Sequence, residues 1–146
     1  MKFKFLPHTA DIKFQAFGNS LEEVFENAAY ALANIISRDK IKPKEKKIIK
    51  VRARDSESLL YDFLEEFLYL IDVGGFILSE IKNLKITSSS SVKNNKTLYN
   101  SELIAEVLGD SIENYNIEKD VKAITYNDMF IKKEKEKFIC QVVVDV

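Results

Sequence analysis

Helical periodicity ends in this chain at Gly74-Gly75. Before that point two runs place their apolar residues three and four apart; from Phe76 onward every patterned run alternates with period two. The first helix is predicted over residues 20–37. Ser20-Leu21-Glu22-Glu23 reads as a capping box, and Leu21, Val24, Phe25, Ala28, Leu32, Ile35 and Ile36 follow on one face. The second opens at Ser56 and carries a wide apolar face of Leu59, Leu60, Phe63, Leu64, Phe67, Leu68 and Ile71. Its other side holds Asp62, Glu65 and Glu66, read as a solvated face.

Strands are expected at Phe3 and Phe5, over 12–17, where Ile12, Phe14 and Ala16 alternate with Lys13, Gln15 and Phe17, and from Ile48 to Ala53. Four more follow in succession, over 76–87, 97–108, 123–132 and 138–145. The serines 88–91 and the segment 93–96 read as a mobile turn, and Lys133-Glu134-Lys135-Glu136 as a charged hairpin tip. Together these describe one α+β domain over 1–146: a largely antiparallel sheet of six to seven strands with two main helices packed on one face.

With 146 residues, 46% hydrophobic and 31% charged, the chain can bury a core of its own. Its 22 basic and 23 acidic residues leave a net charge of −1, so no global basic field advertises nucleic-acid binding. The single cysteine, Cys140, excludes an internal disulfide and lies in an apolar strand pattern, where a core thiol is expected. No window approaches the ~20 apolar residues of a membrane span, and the start lacks a sustained apolar signal region. A soluble, unsecreted protein is expected. Gly74-Gly75 opens no helix after a strand, so it is not a phosphate-binding loop.

Two acidic residues stand near the two ends. Asp11 lies in Pro7-His8-Thr9-Ala10-Asp11, and Asp145 precedes Val146 and its terminal carboxylate. Strand alternation puts Asp145 on the face opposite Cys140, and Asp11 on the face of Lys13 and Gln15. If the two strands are neighbours, three hard oxygen donors meet and suit Ca²⁺, Mg²⁺ or Mn²⁺ better than zinc. On spacing alone the plainer reading is preferred, in which Asp11 caps a turn and Asp145 is a solvated chain end. His8, the only histidine, reads first as a turn residue held by packing or a backbone hydrogen bond, and Lys122 as one surface lysine among many. No Ser/His/Asp or Cys/His set is present, which favours a binding or helper protein over an enzyme.

Five blocks, in order, carry a resemblance: His8-Thr9-Ala10-Asp11-Ile12; residues 20–29; residues 59–70; Val121-Lys122-Ala123-Ile124-Thr125-Tyr126; and Val142-Val143-Val144-Asp145-Val146. In order and spacing the chain resembles the archease family, small cytosolic proteins that assist the GTP-dependent tRNA-splicing ligase of the RtcB type. The resemblance implies an accessory protein without catalysis of its own, which promotes guanylylation of the ligase histidine and restores it for multiple turnover. It also implies that Asp11, Asp145 and Val146 bind a divalent cation, calcium first, and that Lys122, with Asp11, serves ligase activation. His8 remains a secondary candidate. Tyr126 is followed by Asn127 where the family commonly has histidine, and Gly109 by Asp110 where glutamate is common.

Two other functions follow from the residues. An RNA-binding chaperone would use the lysines between Lys40 and Lys50, the one basic run. A metal-dependent hydrolase would lack both a histidine to orient a ligand and an evident general base. The implied partner is the ligase, with tRNA touched indirectly through it, a cytoplasmic location and no membrane.

Overall fold

Ser20 and Gly75 act as the helix punctuation that the sequence suggests. In the computed structural model, which describes residues 1–146, helix α1 spans Leu21–Ile36. Ser20 Oγ accepts the Glu23 N–H at 3.1 Å, and the Glu23 carboxylate reaches back to the Asn19 N–H at 3.4 Å. Helix α2 spans Ser56–Gly74, and its cap is Asp55 rather than Ser56, accepting the Ser58 N–H at 2.8 Å. Gly75 closes it at φ 61°, a left-handed conformation that costs a side-chain-bearing residue about 1 kcal/mol.

The strands are β1 (Phe3–Leu6), β2 (Ile12–Gly18), β3 (Glu45–Ala53), β4 (Phe76–Lys93), β5 (Lys96–Ser111), β6 (Ala123–Glu134) and β7 (Lys137–Asp145). All pairings are antiparallel, and the architecture is α+β. The strands form two sheets rather than one, in the orders β1-β2-β7-β6 and β3-β5-β4. Both helices touch both sheets. Helix α1 packs on β1, β2 and β7 of one and β4 of the other, while α2 packs on β3, β4 and β5 and on β6. The two sheets thus share one helical filling, in which Phe25 and Phe63 lie 6.0 Å apart between ring centroids and are fully buried. Burying each such ring contributes roughly 2–3 kcal/mol.

The expected mobile turn at 88–91 and 93–96 is instead ladder. Strands β4 and β5 stay paired out to Lys93 and Lys96, and the turn is only Asn94-Asn95. Both asparagines have positive φ, 52° and 60°, the combination that a two-residue type I′ hairpin turn requires. The last β3 pairing is Ala53 with Ser101, so the segments beyond it form a two-stranded arm. The charged tip expected at 133–136 likewise contracts to a turn at 135–136. Cys140 lies fully buried opposite Ala16, and burial pushes its thiol pKa up to about 12.

Candidate functional site

Strands β2 and β7 are direct neighbours, and their register brings the two ends of the chain together. The ladder runs from Gly18 with Phe138 to Ile12 with Val144. Just beyond that last pair, Asp11 in the bend before β2 and Asp145 at the end of β7 lie at the same end of the ladder. Ile12, Phe14 and Ala16 face the helices with Val144, Val142 and Cys140, all buried except the half-buried Ile12; Asp145 is exposed and Asp11 half-buried. The alternation of the sequence holds along β2 and at Asp145, while Val143, on the Asp145 face of β7, is buried as well.

Lys122 is delivered to the same place by a pinned connector. Asp110, at 5% exposure the most buried acid of the chain, accepts hydrogen bonds from the Tyr115 hydroxyl at 2.6 Å and the Ser111 N–H at 2.8 Å. The Tyr115 hydroxyl also accepts the Lys42 N–H, Asp39 accepts the Asn116 N–H, and the Glu118 N–H reaches the Ile36 carbonyl. These bonds fasten residues 110–118 to the segment after α1. Val121 is buried, and the next residue, Lys122, gives its N–H to the Asp145 carbonyl at 2.8 Å. Asp11, Asp145 and Lys122 thus share one end of the four-stranded sheet.

Three further residues frame this end. The Ile124 N–H donates to the Glu65 carboxylate at 3.2 Å, so part of the acidic side of α2 is a strand anchor rather than a solvated face. Between Thr125 with Val143 and Phe130 with Gln141, β6 carries extra residues. This bulge turns Tyr126 onto Tyr61 of α2, with rings 4.2 Å apart and 6° from parallel. Burial, then the Glu65 charge, raises the Tyr61 hydroxyl pKa. It also brings Asp128 to the Lys13 ammonium at 3.2 Å. A Tyr126 partner on α2 has no signal in the sequence, because a bulge has no periodicity of its own.

His8 is exposed and lines an open cleft of about 410 Å³ between the β1–β2 loop and the end of α1, with Pro7, Asp11, Arg38 and Lys119 on its walls. Arg38 is paired there with Glu118 at 3.4 Å. His8 and Asp11 therefore share one cleft.

The family model of the Archease protein family matches residues 3–146. The chain belongs to the archease family. It is 38% identical to protein archease of Methanosarcina barkeri, over 99% of this chain and 96% of that one. It is also 38% identical to protein archease of Pyrococcus abyssi, over 95% and 94%. A solution structure of a Methanobacterium thermoautotrophicum protein superposes with a TM-score of 0.75, at 30% identity and 99% coverage of both chains. A Thermotoga maritima crystal structure, described as an archease and possible chaperone, shares the fold at a TM-score of 0.62 and 22% identity, over 98% and 96%.

A divalent cation at these residues is implied by the resemblance alone. No three His, Cys, Asp or Glu side chains gather anywhere in the molecule as a metal-holding group. An ion here would rest on two aspartates and the Val146 carboxylate. None of the ion pairs of the molecule uses Asp11 or Asp145. The donors are hard oxygens without a basic partner, which fits calcium, magnesium or manganese. Asn127, the departure noted in the sequence, lies exposed in the bulge, its N–H bonded to Thr125 Oγ1 at 3.3 Å.

Proposed function

We propose that this chain is a non-enzymatic activator of a GTP-dependent RNA ligase of the RtcB type, which promotes guanylylation of the ligase and its multiple turnover in tRNA splicing. The observation that carries the reading is the meeting of Asp11, Lys122 and Asp145 at one sheet end. They come from three separate segments and are gathered by one register and one backbone hydrogen bond. In this reading Asp11, Asp145 and the Val146 carboxylate hold a divalent cation, calcium first and magnesium or manganese as alternatives. Such an ion, when bound, would supply concentrated positive charge for phosphate oxygens that the ligase presents.

Lys122 adds a mobile cation on an exposed side chain. The fixed connector below it and the Glu65 anchor keep its backbone in place while the ammonium reaches outward. A helper role also accords with the chemistry of the one thiol, which is buried and held far from its nucleophilic form. The protein works in the cytoplasm and meets tRNA through the ligase.

The test is a guanylylation and multiple-turnover ligation assay of the cognate ligase, with this protein well below the ligase in amount. Radiolabel from GTP is expected on the ligase alone, with more ligation events per ligase molecule. Asp11→Ala and Lys122→Ala are each expected to remove the stimulation while melting like wild type. Label on the 146-residue chain itself, or stimulation lost only in proportion to lost folded protein, overturns the reading.

A further inference from the structure

The outer face of the three-stranded sheet carries a charge excess that the sequence average hides. On β3, Ile49 and Val51 are buried, so Lys46, Ile48, Lys50 and Arg52 line the opposite face. Register sets them across from Leu108, Glu106, Ile104 and Glu102 of β5. On the far side, β4 adds Lys82 opposite Glu106 and Lys85 opposite Ile104. The same alternation runs out along the arm to Lys93 opposite Lys96. The lysine run of 40–50 is therefore only one edge of a larger basic surface, whose other half comes from β4 and the arm.

The only acids on this face are Glu80, Glu102 and Glu106, and the cations nearest them are engaged. Arg52 meets Glu102 at 2.6 Å, with Lys50 at 3.8 Å; Lys46 meets Glu106 at 3.2 Å; Lys82 meets Glu80 at 3.7 Å. Lys85, Lys93 and Lys96 are exposed and belong to no ion pair. Between the charges the floor is aliphatic, with Ile48 57% and Ile104 43% exposed.

We infer that this face and its arm bind the phosphodiester backbone of a nucleic acid, without reading its sequence. An acidic protein partner would need aromatic or free arginine anchors seated in pockets. The face offers none: its one arginine is occupied by Glu102, and Tyr99 lies on the other side of the arm. Flexible lysines spread over a long open surface match a partner whose charge is spread likewise. Without exposed rings on this face, bases have no stacking platform, so RNA and DNA of one sequence bind alike. This inference stands apart from the ligase reading, since it uses none of the residues at the end of the four-stranded sheet.

The experiment measures anisotropy of a labelled RNA oligonucleotide, and of the matching DNA, with the full chain across about 50 to 200 mM salt. Wild type is expected to bind both, with affinity falling steeply as salt rises. The triple variant Lys85→Gln, Lys93→Gln, Lys96→Gln is expected to bind at least tenfold more weakly, with a salt slope shallower by about three. A control triple at the β6–β7 tip, Lys133→Gln, Lys135→Gln, Lys137→Gln, removes equal charge and is expected to bind as wild type does. Equal losses in both triples mean that net charge alone acts, and overturn the inference. So does competition by polyglutamate as effective as that by unlabelled RNA, or no binding at the lowest salt. Ligase stimulation by the first triple is a separate readout that leaves the two proposals distinguishable.

Discussion

The end of the four-stranded sheet and the arm of the three-stranded sheet finish their strands in opposite ways. At the first, β2 and β7 stop within a residue of their last pair, and the buried Val142, Val143 and Val144 lead directly into Asp145. At the second, β4 and β5 continue together with no third strand and no core under them; Val92 and Tyr99 are 75% and 68% exposed. The same secondary structure thus delivers two kinds of surface. A packed ladder fixes a few groups at defined separation, as coordination demands. A bare ribbon can only present charge, which suits a partner without fixed shape.

The largest effect expected should break the first region by removing its support. Phe14 is fully buried beside Val142, so Phe14→Ala should cost about 3–5 kcal/mol through the cavity left behind. Chemical denaturation measures it; a cost near that of a surface change would mean that the ladder is not held by its core.

The next prediction concerns acid. The Tyr115 hydroxyl, then the Ser111 N–H, hold the Asp110 carboxyl below its usual range. A group depressed in the folded state stabilises above its unfolded pKa, and that contribution is lost as pH falls through the folded value. Wild-type melting temperature should therefore drop as pH goes below about 4, and the Asp110→Asn curve should be lower at neutral pH and flatter over that interval. Parallel curves would show that Asp110 is not the linked group.

Smaller still is the stability change for Asp11→Ala or Asp145→Ala, within ~0.5 kcal/mol. Calcium titration should sharpen the contrast, because added ion should raise the melting point of wild type and leave both variants unmoved. An equal rise in all three would place the ion elsewhere. The smallest effect belongs to the arm: Asn95→Gly relieves a left-handed residue and should add a few tenths of a kcal/mol. A loss would show that the asparagine side chain contributes to the turn.

What the sequence disclosed was what depends on neighbours along the chain. Ser20 and Glu23, the apolar face through Phe63 and Phe67, and the faces of Ile12 and Asp145 all follow from local period and capping chemistry. The division into two sheets did not, because which strand β3 joins is decided by helices that touch both sheets. The serines 88–91 resembled a loop since nothing apolar marks their alternation; their order comes from the β4–β5 backbone ladder and the Asn94-Asn95 turn. Asp11 and Asp145 are visible as candidates, but their arrival at one sheet end rests on a strand pairing between residues more than a hundred apart. Glu65 and Tyr61 carry no local sign of their partners on β6.

Cys140 turns the pairing of β2 with β7 into something that can be timed. Its sulfur sits inside the ladder that aligns the two aspartates, out of reach of solvent and strongly disposed to keep its proton. A thiol-modifying reagent can react only after the helices lift from this face or the strands part, so the labelling rate under native conditions becomes a clock for the opening of this half of the fold. With no second cysteine, the signal needs no engineering. Anything that ties the ends of β2 and β7 together would slow that clock, and a partner that loosens this sheet would quicken it.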